Sequence, residues 1–113
     1  MPAKPVELRN GLKFAKAGDA NAFFKGILND GDLKAYLTGE DVDVVDALFR
    51  DYCAATGWEI PGEPERYFRD WNMAEDRATR SFYVEFVSGE TDDFSYIKAV
   101  RAVANWRRNG RIQ

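Results

Sequence analysis

The stretch Ser81–Arg101, SFYVEFVSGETDDFSYIKAVR, carries two hydrophobic periodicities and decides the fold class. Its first part alternates apolar and polar residues, with Phe82, Val84 and Phe86 on one side, which is typical of a half-buried strand. Its last part has apolar residues at helical spacing, which predicts a helix from about Ser95 to Arg108. A strand, a turn and a helix in this order indicate an α+β protein.

The acidic pair Asp92-Asp93 in this stretch has two interpretations. In one of them, the pair binds Mg²⁺ together with Glu90, because this ion prefers carboxylate ligands. Restriction-type metal nucleases use an Asp on one strand and a Glu-x-Lys motif on the next, and the candidates here are Asp70 and Glu85-Phe86-Val87. That motif needs a lysine where this chain has Val87, so the match fails. In the favoured interpretation, Asp93 or Ser95 caps the last helix, because both residue types are good N-caps and anions are stabilised at a helix N-terminus.

The N-terminal stretch VELRNGLKF, residues 6–14, predicts a β-hairpin because Asn-Gly is a strong hairpin signal. A two-residue turn would place polar side chains opposite apolar ones. A three-residue loop, Arg9–Gly11, instead pairs Val6 with Phe14 and makes one face wholly apolar. We expect this second register, with Gly11 in the left-handed region.

Two further amphipathic helices are predicted between the hairpin and the strands. The first has Asp19 as its N-cap and Gly31 just after its end, and its apolar face is Ala20, Phe23, Phe24, Ile27 and Leu28. The second runs from Thr38 to Gly57, and its buried residues are Val42, Val45, Leu48, Phe49 and Tyr52. We therefore expect one domain, residues 1–113, in which three helices pack on a small antiparallel sheet. That sheet would combine the hairpin with strands near 67–73 and 80–87.

Composition excludes several kinds of site. The 113 residues include one cysteine, Cys53, and no histidine, which excludes Ser-His-Asp and Cys-His triads and disfavours zinc. We therefore predict no catalytic residues, no metal and no cofactor, and expect Cys53 to be a packing residue. There is no apolar run of membrane-spanning length and no signal-peptide pattern at the start, so we expect a cytoplasmic, bacterial protein with no membrane partner.

The charged residues are unevenly distributed. The last nineteen residues hold five cations and no carboxylate side chain, whereas residues 31–64 hold eight carboxylates and two cations. Such asymmetry marks either a surface for polyanions or mutual attraction between segments. The predicted nucleic-acid-binding residues are Lys98, Arg101, Arg107, Arg108, Arg111, Trp106, Lys13 and Lys16. The alternative is a solvated helix face whose cations favour the helix C-terminus.

Aromatic residues also crowd the predicted strands, and they are Phe68, Trp71, Phe82, Tyr83 and Phe86. Some RNA-binding folds expose such residues on a sheet as stacking platforms. Because those folds place basic residues beside the aromatics, we instead expect this set to form a core face.

Four blocks resemble the DCL ("defective chloroplasts and leaves") family, also called DUF3223: LRNGLKF, GDANAFFKGILN, SFYVEFVSG and DFSYIKAV. The most specific of them is Asp93-Phe94-Ser95-Tyr96. The chain departs from the family pattern at Phe23, where histidine is common, and at Ala99 and Ser81, where cysteine is common. The family has members linked to chloroplast ribosomal RNA maturation.

The resemblance implies an RNA-linked accessory domain. We therefore expect a non-catalytic module that binds structured RNA and aids ribosomal RNA processing. The alternative is a protein-interaction module that docks on a larger nucleic-acid-processing complex through its acidic middle segment. The sequence does not determine the RNA target, the protein partner or the oligomeric state.

Overall fold

The computed structural model describes residues 5–74 and 77–108, and for residues 74, 77, 107 and 108 it describes the backbone alone. Three helices and two antiparallel sheets form an α+β fold, as predicted. The elements in chain order are β1 (Val6–Glu7), β2 (Lys13–Phe14), α1 (Ala17–Asn29), α2 (Gly39–Thr56), β3 (Pro64–Ala74), β4 (Arg77–Phe86), β5 (Thr91–Phe94) and α3 (Tyr96–Arg108).

The main sheet has the order β3-β4-β5, and its longest pairing joins β3 and β4. The two predicted strands, near 67–73 and 80–87, are therefore confirmed, but β3 is longer at both ends, from Pro64 to Ala74, and β4 begins earlier, at Arg77. β5 was not predicted. The segment before α2 also lies along the free edge of β3, where Lys34 N–H donates to the Arg69 carbonyl at 2.6 Å and Leu37 N–H to the Tyr67 carbonyl at 2.8 Å.

The N-terminal hairpin forms a two-stranded sheet of its own, so its predicted place in the main sheet is wrong. Its predicted register is confirmed, because Val6 pairs with Phe14 and Leu8 N–H donates to the Leu12 carbonyl at 2.9 Å. Gly11 has φ +92°, which is the left-handed conformation that the three-residue loop requires.

The helix ends follow the sequence signals in part. α1 begins at Ala17 rather than after Asp19, because the Lys16 carbonyl already accepts the N–H of Asp19 at 3.1 Å. Asp19 is therefore an acidic residue of the first turn, where the helix dipole favours it. α2 ends as predicted at Gly57, which has φ +73° and donates its N–H to the Cys53 carbonyl.

The core lies between the helices and one face of the main sheet. Phe49 of α2 is fully buried, and its ring centroid lies 6.0 Å from that of Tyr67 and 4.9 Å from that of Phe94. The predicted alternation in β4 is confirmed, since Phe82 and Val84 are also fully buried.

Two arginine side chains link the hairpin loop to α2 and β3 to α1. Asp51 of α2 is 1% exposed and accepts both the backbone N–H and the Nε–H of Arg9, at 2.9 and 2.6 Å. Arg69 is 5% exposed and donates from Nε to the Ile27 carbonyl at 2.7 Å. This carbonyl belongs to the last turn of α1 and also accepts the Asp30 N–H at 3.3 Å, so the guanidinium is a second, charged donor at the negative end of the helix dipole.

Candidate nucleic-acid interface

The start of α3 is fixed by one of the two predicted caps. Ser95 precedes the helix, and its Oγ accepts the N–H of Lys98 at 3.2 Å, so the prediction for Ser95 is confirmed. The prediction for Asp93 is wrong, because this residue pairs with Tyr83 in the sheet and its carboxylate accepts a hydrogen bond from the Asn72 amide.

α3 separates an apolar face from a basic one. The residues that it buries are Ala99, Val100, Val103 and Ala104. Lys98 and Arg101 are exposed, as predicted. Trp106 is half-buried and has a partner within the chain, and its predicted stacking role stays a prediction. The side chains of Arg107 and Arg108, and the whole of Arg111, lie outside the described part of the structure.

The two basic ends of the chain come together in the fold. β1 packs against α3, and β2 packs against α1. Lys13 in β2 and Lys16 before α1 are both exposed. Arg9 belongs to the same hairpin, but its guanidinium is paired with the Asp51 carboxylate. The exposed cations in and just after the hairpin that form no ion pair with the described residues are therefore Lys13 and Lys16, rather than Arg9.

A groove of about 420 Å³ lies between α1 and α3, and we call it the α1–α3 groove. Its lining residues are Ala17, Asn21, Ile97, Val100, Arg101, Ala104 and Asn105. Arg101 supplies a cation on the α3 side, and Lys16 directly precedes Ala17 on the α1 side. The groove therefore joins parts of both basic segments.

Two features of α1 affect how the groove could hold an anion. Lys16 is the N-cap residue but makes no side-chain capping bond, so the first N–H groups of α1 gain no such partner. The carboxylate of Asp19 in the same turn repels an anion. Asn21 Oδ1 is buried and has no hydrogen-bond partner among the described residues. Of these groups, Asn21 lines the groove itself together with Arg101, whereas Lys16 and Asp19 belong to the adjoining start of α1.

Lys98 faces a different cleft from Arg101. This cleft, of about 600 Å³, lies between the start of α3 and the part of β3 and β4 that extends beyond β5. It contains Asp93 as well as Lys98, and Arg80 on its wall donates to the Leu28 and Gly31 carbonyls, both at 3.1 Å. Lys98 and Arg101 thus line two clefts, which adjoin at Ile97.

Lys25 was missed by the sequence analysis. It is exposed on α1, one turn after Asn21, and so lies on the side of α1 that faces the α1–α3 groove. Helical spacing puts Lys25 on the same side of α1 as Asn21. Only the antiparallel packing of the two helices shows that this side of α1 lies next to α3.

The aromatic residues of the strands divide between two faces. Phe82 and Phe86 lie in the core, as predicted. For Phe68 and Tyr83 the prediction is wrong, because they lie on the sheet face away from the helices and are half-buried. Their rings stack at 5.3 Å with an interplanar angle of 17°. Tyr36 packs edge-on against Phe68 at 6.1 Å and is 44% exposed.

Other kinds of site find little support in the described residues. No group of three potential metal ligands occurs among them. Burial raises the pKa of the Cys53 thiol to about 11, so little thiolate forms near neutral pH. None of the helices in residues 5–74 and 77–108 is long and apolar enough to cross a bilayer.

Comparison with known proteins supports the fold. No protein-family model and no curated protein matches this sequence. The solution NMR structure of an uncharacterized protein from Rhodospirillum rubrum is similar, with a TM-score of 0.69 and 26% sequence identity. The similarity covers 86% of this chain and 88% of that one, so it extends over nearly the whole fold of both proteins.

Proposed function

We propose that this protein is a non-catalytic RNA-binding accessory module that contacts RNA through the α1–α3 groove. The observation that carries the proposal is the lining of this groove, to which α3 contributes Arg101 and α1 contributes Ala17, the residue directly after Lys16. Arginine and lysine bind phosphates, and neutral amides such as that of Asn21 pair with hydroxyl and base groups. The resemblance to the DCL family supports a role in ribosomal RNA processing.

The absence of histidine and the high pKa of the Cys53 thiol support a module without chemistry of its own. A single cysteine also suits a reducing compartment, so we propose a cytoplasmic location. Structured RNA is the proposed ligand, since the resemblance to the DCL family implies an RNA-linked domain.

The test is binding of a fluorescent RNA stem-loop, measured by anisotropy over a range of salt concentrations. Arg101→Glu should weaken binding and reduce the slope of log K against log salt by about one, because it removes one phosphate contact. Arg66→Glu is the matched control, since Arg66 is an exposed arginine of the main sheet. Lack of binding at low salt, or equal effects of the two variants, would refute the groove as the RNA site.

A further inference from the structure

The sheet face away from the helices carries an aromatic row that nothing in the described structure covers. It consists of Tyr36, Phe68 and Tyr83, which lie side by side across the edge segment, β3 and β4. The described helices pack on the opposite face, against Phe82 and Phe86. Partly exposed aromatic rings of this kind are enriched at protein interfaces.

Carboxylates surround this row. The register places Asp93 of β5 directly beside Tyr83, and Asp70 of β3 diagonally across from it. Burial raises the pKa of the Tyr83 hydroxyl, and the negative charges of Asp93, Asp70 and Asp92 raise it further. Among the described residues neither Asp70 nor Asp93 forms an ion pair, although Asp70 accepts the Trp71 N–H and Asp93 the Asn72 amide. This end of the row is therefore negative.

The other end of the row shows how the face holds a cation. The guanidinium of Arg66 lies 4.7 Å from the ring centroid of Tyr36. Its Nε is 3.9 Å from Oε2 of Glu85, and the Tyr36 hydroxyl donates to the same carboxylate at 2.8 Å. An aromatic ring and a carboxylate thus share one arginine. Tyr83 has the same kind of surroundings, with two carboxylates and no arginine of the described chain.

We propose that the open sheet face docks a basic segment of a partner protein, which places an arginine or lysine side chain against Tyr83 between Asp70 and Asp93. Charge complementarity selects this occupant, because a cation gains attraction to both carboxylates and to the aromatic rings. A polyanion would meet repulsion from the same groups. The rings of Phe68 and Tyr83 lie on the sheet face away from the helices, and Asp93 borders the cleft that also contains Lys98. The site uses none of the residues that line the α1–α3 groove.

The probe is a synthetic peptide of alternating arginine and glycine, titrated into ¹⁵N-labelled protein. Amide shift changes should concentrate at Phe68, Tyr83 and Asp93 and leave the α1–α3 groove unchanged. The double variant Asp70→Asn/Asp93→Asn should bind about tenfold more weakly, since each lost ion pair contributes up to about 1 kcal/mol. Asparagine keeps the oxygen that accepts the present hydrogen bonds, so the fold should persist, and the single variant Asp70→Asn is available if it does not.

Matched charge removal on α2, Glu40→Gln/Asp43→Asn, should change the affinity less than twofold, because both residues are exposed and lie outside the open sheet face. Binding that is as tight in the Asp70/Asp93 variant as in the wild type would overturn the proposal. Amide shift changes that are lost in the α2 variant Glu40→Gln/Asp43→Asn would also overturn it. Shifts at Tyr83 on adding the RNA stem-loop instead of the peptide would assign this face to nucleic acid and would also overturn it.

Discussion

The bond between the hairpin loop and α2 should be one of the most stabilising polar contacts in the protein. Asp51 is 1% exposed and accepts two hydrogen bonds from Arg9, a residue 42 positions away in sequence. Hydrogen bonds to charged groups contribute about 1.5–3 kcal/mol each. Because the Arg9 side chain is 46% exposed, water replaces part of its contact when the carboxylate is removed. We therefore expect Asp51→Ala to lower the free energy of unfolding by about 2–4 kcal/mol.

Thermal and urea unfolding followed by circular dichroism would measure this change, which corresponds to a Tm about 10 °C lower in a domain of this size. Asp43→Ala is the matched control, since it makes the same substitution at an exposed position of the same helix. Both variants gain the same helix propensity, so their difference isolates the buried contact. A loss for Asp51→Ala below about 1 kcal/mol, or no larger than the control, would refute the assigned role of the Arg9–Asp51 pair.

Two further predictions concern glycine packing and thiol reactivity. Gly31→Ala should destabilise the protein by about 2 kcal/mol, because a Cβ there would lie 2.6 Å from Nη1 of Arg69 and the residue has φ +139°. Gly26→Ala, at an open position in α1, should instead stabilise it by about 0.5–1 kcal/mol, and equal urea midpoints for the two variants would contradict this reasoning. Cys53 should react with iodoacetamide at pH 8 on the order of a hundredfold more slowly in the native protein than in urea, because its thiolate forms only as the pH nears its raised pKa of about 11. Equal rates in the two conditions would show that the thiol is not protected by burial.

Features set by local chemistry were predictable from the sequence. The hairpin register followed from the turn residues and the apolar pattern, since only one loop length places Val6 opposite Phe14. The end of α2 followed from Gly57, whose left-handed conformation suits glycine. The apolar face of α3 followed from helical spacing. In each case a few neighbouring residues contain the whole physical reason.

Features set by tertiary contacts were not predictable. Asp93 has the residue type of a helix cap, yet strand pairing with β4 uses its backbone, and such a short polar strand has no periodicity of its own. Phe68 and Phe82 are both aromatic strand residues, and the pairing of Arg69 with Phe82 places them on opposite faces. Lys98 and Arg101 are three residues apart on one helix, yet they line different clefts, and only the packing of other elements against α3 determines this.

The acidic middle of the sequence, residues 31–64, has a structural role. Its α2 carboxylates face arginines of other elements, as in the Arg9–Asp51 pair and in the contact of Arg69 Nη2 with Asp41 at 4.0 Å. The asymmetry of charge along the chain is thus explained in part by attraction between segments that holds the fold together. We therefore place the proposed protein docking on the open sheet face, where Asp70 and Asp93 form no ion pair with the described residues, rather than on α2. The open sheet face and the α1–α3 groove share no residue. We therefore expect that a substitution which abolishes binding at one of them leaves binding at the other unchanged.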